Sequence, residues 1–300
     1  MPMLPSEIID RFRVHKGSGF RLADFDCGDT CGLDIEKKDA KDMLEAGVKR
    51  LSKLQERLYA EGRWAVLAVL QGLDTSGKDG VIKHVLSGVN PQGCEVHSFK
   101  APSTLELAHD FLWRTTIALP GRGRIGIFNR SYYEETVVVR VHPELLERQH
   151  LPQKLVTDEI WKQRYEDINN FELHLARNGV VPIKFFLNIS KEEQLRRLLA
   201  RIEDPDKRWK FSLYDVEERK LWDSFLEAYE DTIRHTATPH APWYVVPADH
   251  KWFSRLVVAA TLVEQMEALD LQFPKFDEAS AEALEKAHAA LLEEAAKIKR

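Results

Sequence analysis

A nearly continuous apolar run constrains the fold of this chain more than any other feature. Residues 64–71 read Trp-Ala-Val-Leu-Ala-Val-Leu-Gln and lie between Gly62 and Gly72. A run of this length without apolar–polar alternation is typical of a strand that is buried on both faces. Such strands occur mainly in parallel sheets whose two faces are covered by helices. The run therefore predicts an α/β protein.

Four further segments with strand-like composition follow this run, and helical patterns lie between them. The strand candidates are residues 95–99, 125–129, 181–189 and 243–247. The helical patterns cover residues 39–62, 104–118, 155–178, 215–235 and 251–269. Another helix is predicted to begin at Ser190, with Glu193 completing a capping box. The repeated alternation predicts a five-stranded parallel sheet between two helical layers, a three-layer αβα arrangement.

No internal repeat or low-complexity linker divides the chain, so we expect residues 1–300 to form one domain. Residues 1–38 carry scattered Gly, Asp and short apolar pieces, which predict an irregular arm that packs on the body. Residues 278–300 are rich in Ala, Glu, Lys and Leu. They predict a helical tail that is either solvated or in contact with another subunit.

Composition excludes several classes of protein. Of the 300 residues, 44% are hydrophobic and 30% are charged, which excludes disordered and fibrous classes. The net charge of -5 disfavours a nucleic-acid-binding protein, so any polyanion site must be a local basic patch. Only three cysteines, no signal-peptide pattern and no apolar run of about 20 residues are found, which predicts a cytoplasmic protein outside the membrane.

The segment that follows the apolar run has the spacing of a phosphate-binding loop. Gly72, Gly77 and Lys78 fit the pattern G-x-x-x-x-G-K, and a helical pattern over residues 80–86 comes next. Glycines allow backbone N–H groups to turn toward a phosphate, and the lysine neutralises phosphoryl oxygens. A glycine-rich turn without a ligand is the alternative interpretation. The strand, loop, lysine and helix together favour a phosphate site.

Two carboxylates accompany this loop. Asp79 stands where a serine or threonine normally follows the lysine and holds Mg²⁺, and Asp74 adds a second acid within the loop. Carboxylates beside a polyanion would repel it unless a divalent cation or a proton lies between them. The loop therefore predicts bound Mg²⁺ that is held partly by acidic side chains.

A second polar cluster follows the strand candidate at residues 125–129. Asn129 ends that strand, and Arg130, Glu134 and Glu135 follow it at the edge of the sheet where ligands bind. Arg130 can clamp a phosphoryl group through two hydrogen bonds, and either glutamate can hold a metal ion. The alternative is a capped helix start with surface charges, but the neighbouring phosphate loop favours a functional role.

A third, basic cluster lies between two late helical patterns. Its cations are Arg197, Arg201, Lys207, Arg208 and Lys210. Pro205 breaks the preceding helix, and two aromatic residues lie in the turn. A basic helical hairpin is typical of a lid that closes over a transferring phosphoryl group, with a solvated charged turn as the alternative. Further candidates for contact with an extended polyanion are Lys83, Lys100, Arg114 and Arg140.

Three motifs in this order resemble the family-2 polyphosphate kinases. They are Gly72-x-Asp74-x-x-Gly77-Lys78-Asp79-Gly80, Phe128-Asn129-Arg130-Ser131-x-Tyr133-Glu134 and Lys207-Arg208-Trp209-Lys210-Phe211. The resemblance covers about residues 51–273. It implies a P-loop kinase fold akin to thymidylate kinase, and reversible Mg²⁺-dependent phosphoryl transfer between inorganic polyphosphate and nucleotides. The Phe-Asn-Arg form resembles the subgroup that accepts both nucleoside monophosphates and diphosphates, adenine or guanine.

The resemblance and the residues together give each candidate an expected role. The expected catalytic residues are Asp74, Lys78, Arg130 and Glu134. Nucleotide phosphates are expected at Gly72, Thr75, Ser76, Gly77, Asp79, Gly80 and Asn129. Polyphosphate is expected along a lid, at about residues 200–215, and nearby cations: Lys83, Arg201, Lys207, Arg208 and Lys210. Mg²⁺, or Mn²⁺ in its place, is expected at Asp74, Glu134 and Glu135. Family likeness also suggests a homo-oligomer, either a dimer or a tetramer.

Two other functions remain open on the sequence alone. One is an ATP-dependent nucleotide or small-molecule kinase of the same fold, which differs in its phosphoryl donor. The other is a nucleotide-sensing regulator that binds without turnover. The paired carboxylates and the lid disfavour the regulator, because sensing requires neither.

Overall fold

A six-stranded mixed sheet forms the centre of the computed structural model, which describes residues 4–33, 35–275 and 277–298. The strands are β1 (Arg13–Val14), β2 (Ala65–Gln71), β3 (Cys94–Ser98), β4 (Ile125–Asn129), β5 (Val180–Asn188) and β6 (Trp243–Pro247). Their order is β1-β6-β5-β2-β4-β3. Strands β2 to β6 are mutually parallel, so the α/β class and the five predicted strands are confirmed.

The prediction of a purely parallel, five-stranded sheet is wrong in one respect. Strand β1 pairs antiparallel with β6, with Arg13 opposite Tyr244 and Val14 opposite Trp243. A two-residue strand is too short to produce a periodic pattern, so the sequence of the N-terminal arm gives no sign of it. The arm does pack on the body, because Ile9 and Phe12 are buried in the core.

Thirteen helices complete the described part of the chain. They are α1 (Ser6–Asp10), α2 (Lys37–Glu61), α3 (Lys78–Val85), α4 (Thr104–Leu107), α5 (Trp113–Thr116), α6 (Val138–Val141), α7 (Glu144–Glu147), α8 (Ile160–Arg177), α9 (Lys191–Glu203), α10 (Leu213–Glu218), α11 (Trp222–Thr236), α12 (Lys251–Glu267) and α13 (Glu278–Ile298). The predicted tail helix is therefore present, and its described side chains are exposed. Residues 299 and 300 of that prediction lie outside the described residues.

Strand β2 is buried on both faces, as its apolar run predicts. Val66, Ala68 and Leu70 belong to a core shared with α2, α3 and α12. Leu67 and Val69 point the other way, into a core shared with α8 and α11. Successive residues of a strand face opposite sides, so a strand covered by helices on both sides needs apolar residues at every position.

Three predicted helices differ from the structure in their extent. The pattern over 104–118 forms two short helices, because the Asp110 carboxylate accepts a hydrogen bond from the Leu112 N–H at 2.9 Å and stabilises a turn between them. The pattern over 155–178 becomes helical only at Ile160. The pattern over 215–235 is interrupted by a 3-10 turn at Arg219–Leu221, which separates α10 from α11.

The predicted capping box at Ser190 is half correct. The Ser190 hydroxyl accepts a hydrogen bond from the Glu193 N–H at 3.1 Å. The reciprocal bond is missing, because the Glu193 carboxylate accepts from Arg196 and Arg197 instead. The Ser190 N–H donates to Asp249 at 2.8 Å.

The carboxyl ends of the parallel strands share one edge of the sheet. Strand β2 comes first of the five in the chain but lies in the middle, with β5 and β6 on one side and β4 and β3 on the other. Ligands of open α/β sheets bind at such a point, where the connections leave in opposite directions. The loops that follow β2 and β4 meet there.

None of the helices in residues 4–33, 35–275 and 277–298 combines the length and apolar character needed to span a bilayer.

Candidate functional site

The loop from Gly72 to Lys78 joins the central strand β2 to helix α3. Gly72 and Gly77 have φ angles of 146° and 112°, which side chains rarely tolerate. A Cβ atom on Gly72 would also lie 2.9 Å from the carbonyl oxygen of Leu187. Thr75 has a φ of 62° despite its side chain, and such strain is concentrated at functional sites.

Side chains from distant elements brace this loop. Arg197 on α9 donates through Nη1 to the carbonyl oxygens of Thr75 and Ser76, at 2.9 and 3.0 Å. Gln194 donates to the carbonyl oxygen of Asp74 at 3.2 Å. Within the described chain, the N–H groups of Thr75 and Gly77 donate no hydrogen bond. The loop therefore directs two carbonyls toward Arg197 and leaves these two amide donors without a partner among the described residues.

Lys78 begins helix α3 and is buried. Its Nζ donates to the carbonyl oxygens of Gly72 and Leu73, at 2.6 and 3.2 Å. Burial, with a further contribution from the charge of Arg130, lowers the pKa of Lys78 to about 8. A phosphate in the loop would supply the negative charge that favours the protonated ammonium.

Arg130 connects the loop after β4 to the phosphate loop. Its guanidinium donates to Oδ1 of Asp74 at 2.9 Å and to Oε2 of Glu134 at 3.0 Å. The charges of Glu134 and then Asp74 raise the pKa of Arg130 against the opposing effect of burial. Asn129 donates to Asp79 at 2.9 Å, which links the same two loops a second time. The structure thus brings together these predicted residues of the two strand ends.

The three predicted metal ligands do not converge. Asp74 and Glu134 share Arg130, whereas the Glu135 carboxylate accepts from Arg164 at 3.0 Å and also from Gln149. In the described ranges, no cluster of three or more His, Cys, Asp or Glu side chains could hold a metal ion. Asp74 and Glu134 still fit Mg²⁺, since this ion commonly takes one or two carboxylates and completes its shell with phosphates and water.

The lid cations are distributed unevenly. Arg201 and Lys207 line the cavity above the loop, whereas Arg208 donates to the carbonyl oxygen of Ile202 at 2.8 Å and does not line it. Lys83 is exposed on α3, away from the cavity lining. The side chain of Lys210 lies outside the described part of the chain.

A cavity of about 1160 Å³ lies over the phosphate loop, between the loop after β4, the lid and α12. Five acidic side chains line the described part of its wall: Asp74, Asp79, Glu134, Glu135 and Asp215. Eleven cationic side chains line the same wall: Lys78, Lys100, Arg114, Arg130, Arg148, Arg196, Arg197, Arg201, Lys207, Lys251 and Arg255. This is a local basic patch on a chain with a net charge of -5, as the composition requires of any polyanion site.

Four of these cations were not predicted from the sequence: Arg148, Arg196, Lys251 and Arg255. Lys251 and Arg255 lie four residues apart on α12, directly after the carboxyl end of β6. The side chain of neither residue makes an ion pair or a hydrogen bond with any residue that the structure describes. Burial, and then the charge of Arg197, lowers the pKa of both. The rule that polar residues after a parallel strand form the site, applied to β6, would have found them.

Comparison with known proteins agrees with this geometry. The model of the polyphosphate kinase 2 family matches residues 34–274. An ADP-polyphosphate phosphotransferase of Rhodopseudomonas palustris is 52% identical over 240 residues, which cover 80% of this chain and 83% of that protein. An AMP/ADP-polyphosphate phosphotransferase of Meiothermus ruber is 46% identical over 270 residues, which cover 90% and 97%.

A solved structure is similar over almost the whole length. The crystal structure of polyphosphate kinase 2 from Arthrobacter aurescens TC1 superposes with a TM-score of 0.85 at 40% sequence identity, covering 95% of this chain and 98% of that one. The family model spans most of the chain and includes the phosphate loop, the loop after β4 and the lid. The chain therefore belongs to the polyphosphate kinase 2 family.

Proposed function

We propose that the protein transfers phosphoryl groups reversibly from inorganic polyphosphate to AMP and ADP, and to their guanine counterparts, with Mg²⁺ as cofactor. As a member of the polyphosphate kinase 2 family, it is a polyphosphate-dependent nucleotide phosphotransferase. The observation that carries the proposal is the cationic cavity over the phosphate loop, with its eleven basic side chains. Two polyanions can meet only where many cations reduce their repulsion.

The fold that best fits this activity is a three-layer P-loop kinase fold with a helical lid, akin to thymidylate kinase. Its support is the central parallel strand that leads into the braced Gly72–Lys78 loop and then into α3. We place the protein in the cytoplasm as a homo-oligomer, either a dimer or a tetramer. The mass of the particle in solution, measured by light scattering, tests the oligomeric state.

The nucleotide phosphate lies over the phosphate loop in this proposal, where the N–H groups of Thr75 and Gly77 and the ammonium of Lys78 bind its oxygens. Polyphosphate lies along the lid side of the cavity. A terminal acceptor oxygen attacks the end phosphoryl group in line, and the next phosphate of the chain leaves with the electron pair of the broken P–O bond. Lys78 and Arg130 stabilise the charge that spreads over the transferring group.

Asp74 and Glu134 would hold Mg²⁺, which neutralises charge on the phosphate oxygens when it is bound. Both carboxylates already contact Arg130, so the same guanidinium fixes both groups beside the transferring phosphoryl. Mn²⁺, which also prefers oxygen ligands, is expected to substitute for Mg²⁺. Glu135 is left out of this set because Arg164 engages its carboxylate.

The donor distinguishes this proposal from an ATP-dependent kinase. The protein is incubated with ADP or AMP, Mg²⁺ and polyphosphate in the absence of ATP, and the nucleotides are separated by chromatography. We expect ATP from ADP, and ADP followed by ATP from AMP. Transfer only from ATP would favour the rival kinase. Tight nucleotide binding without transfer from either donor would favour the regulator.

A further inference from the structure

A fully buried ion pair lies in the core between β5 and α8, outside the cavity lining. Lys184 is in the middle of β5 and Glu172 is on α8, and both side chains are 0% exposed. The Nζ of Lys184 lies 2.6 Å from Oε2 of Glu172. Neither residue lines the cavity within the described chain.

Hydrogen bonds satisfy this pair completely. Besides Glu172, Lys184 donates to the hydroxyl oxygen of Tyr133 at 3.0 Å and to the carbonyl oxygen of Thr236 at 2.8 Å. The other carboxylate oxygen, Oε1 of Glu172, accepts from the hydroxyls of Tyr132 and Tyr133, at 2.8 and 2.7 Å. The three donors of the ammonium are therefore all used, and two tyrosine hydroxyls are fixed by one carboxylate.

Stability alone does not account for such a pair. Removing two charges from water is costly, and apolar residues of similar volume often replace a buried pair without loss of stability. A closed set of hydrogen bonds does, however, allow only one arrangement of its members. The pair is therefore expected to determine the position of what it holds, namely the two tyrosines.

Those tyrosines are two of the three residues that separate Arg130 from Glu134 along the chain, and Ser131 is the third. The loop leaves β4 with Arg130 at a φ of 64° and turns through a short 3-10 helix, Tyr132–Glu135. Ser131 stabilises the turn by accepting from the Tyr133 N–H at 3.1 Å. Glu172 holds both tyrosine side chains by their hydroxyls, and Arg130 of the same loop donates to Asp74 and Glu134.

We infer that Glu172 and Lys184 are positioning residues for phosphoryl transfer: they hold Tyr132 and Tyr133, which in turn fix Arg130 and Glu134 at the cavity. This inference rests on the proposed function of that cavity. The pair touches neither substrate nor reacting atoms, and it acts only through the geometry of the loop. A displacement of about 1 Å in such groups is enough to slow a reaction severely.

The test replaces the pair by apolar residues of similar size, in the double variant Glu172→Leu/Lys184→Met. We expect kcat with ADP and polyphosphate to fall roughly ten- to hundredfold, because positioning errors of this size have such effects. The Tm should decrease modestly, because two buried tyrosine hydroxyls lose their acceptor, and the KM for ADP should change little. The Mg²⁺ concentration for half-maximal rate should rise, because Glu134 is displaced. A merely structural role would leave kcat and the Mg²⁺ requirement of the folded variant unchanged.

A second variant, Tyr132→Phe/Tyr133→Phe, keeps both rings and removes only their hydroxyls. It should reproduce the loss of kcat and the shift in Mg²⁺ requirement, and it decides the question if the first variant does not fold. The matched control is Tyr165→Phe. Tyr165 lies on α8, as Glu172 does, but its hydroxyl accepts a hydrogen bond from Arg140 and takes no part in the buried pair. That variant should retain wild-type kcat.

A wild-type kcat in either of these two double variants, provided that the variant folds, would overturn the positioning role. The wild-type protein is assayed beside the variants to separate this result from a failure of the proposed function. Absence of turnover by the wild type would overturn the proposed function and the positioning role together. Turnover by the wild type that either folded variant matches would overturn the positioning role alone.

Discussion

The phosphate loop and the lid contribute cations to one cavity, but the protein holds them in different ways. Side chains from α9 and α11 brace the loop: Arg197 binds two of its carbonyls, and Tyr229 accepts the Gly72 N–H at 3.2 Å. In the lid, Lys207 pairs with Asp204 three residues away, and Arg208 binds the end of the preceding helix. The loop is thus fixed by the body of the protein, whereas these lid cations are satisfied by their own segment.

This difference separates two tasks. A loop that is held in place before its ligand binds needs no rearrangement when charge develops, which is the condition for efficient transition-state stabilisation. A lid cation that is paired with a neighbour must exchange that partner for polyphosphate. Loop residues should therefore control kcat, and lid residues should control the KM for polyphosphate.

The largest effect on kcat is expected when the phosphate loop loses the positive charge of its lysine. Lys78→Ala should lower kcat by about 10²–10³, because it removes a preorganised cation from the transferring phosphoryl group. Nucleotide affinity should also fall, while the Tm changes little. Steady-state kinetics and calorimetry check this. Lys53→Ala, at an exposed lysine of α2, is the control and should match the wild type.

Asp74→Asn should follow closely in size. It keeps the loop geometry, which depends on the glycines, but removes one carboxylate from Arg130 and from the proposed Mg²⁺ site. We expect kcat to fall roughly a hundredfold and the Mg²⁺ requirement to rise. Unaltered turnover at unaltered Mg²⁺ dependence would mean that Asp74 serves only the loop's structure.

Charge reversal in the lid should have a smaller effect than the two loop variants, and it should act mainly on the KM for polyphosphate. Lys207→Glu/Arg208→Glu should raise the KM for polyphosphate roughly tenfold and make it less sensitive to salt, because fewer cations contact the polyanion. The fall in kcat should be smaller than that of Lys78→Ala, and nucleotide affinity should be nearly retained. Lys220→Glu, at an exposed lysine outside the cavity lining, is the control.

The opposite outcome is a lid variant that loses nucleotide affinity and keeps the wild-type KM for polyphosphate. That result would contradict the assignment of polyphosphate binding to the lid. The polyphosphate path would then be sought along Lys100 and Arg114, which line the cavity on the side of β3.

The smallest effect concerns pH. The pKa of Lys78 is lowered from 10.5 to about 8, so the folded protein binds fewer protons than the unfolded chain between these values. Lys78 therefore makes the free energy of unfolding rise with pH across that window. Nucleotide binding has the opposite dependence, because the charged ammonium binds phosphate more tightly than the neutral amine does. We expect affinity to weaken a few-fold from pH 7 to pH 9 by calorimetry.

The matched variant for this prediction is Lys78→Arg, whose guanidinium stays charged throughout that range. Its nucleotide affinity should be flat between the two pH values. A wild-type affinity that is equally flat would show that Lys78 does not titrate there.

The sequence was sufficient where a pattern is local and repeated. Strand β2 is recognised because burial on both faces requires an unbroken apolar run, and the glycine spacing after it identifies the loop. Strand β1 has only two residues, and its pairing with β6 depends on a segment more than 200 residues away. No local pattern reports such a partner.

The site shows the same limit. Asp74, Lys78 and Arg130 are charged residues that closely follow the carboxyl ends of β2 and β4. This position alone predicts that they lie at one edge of the sheet. The basic neighbours of Arg197 predict a lid cation, but its guanidinium donates to the carbonyls of Thr75 and Ser76 and braces the phosphate loop. Its partners lie over 120 residues away, so only the folded chain distinguishes a brace from a ligand-binding cation.

In the proposed mechanism, the end phosphate of polyphosphate reacts beside Lys78 and Arg130 after Lys207 of the lid has exchanged Asp204 for an inner phosphate. A crystal structure of the protein soaked with Mg²⁺ and a short polyphosphate tests it most directly. We predict an end phosphate within hydrogen-bond distance of Lys78 and Arg130, inner phosphates along Lys207, and Lys207 separated from Asp204. Polyphosphate bound away from the Gly72–Lys78 loop, with the Lys207–Asp204 pair intact, would contradict this mechanism.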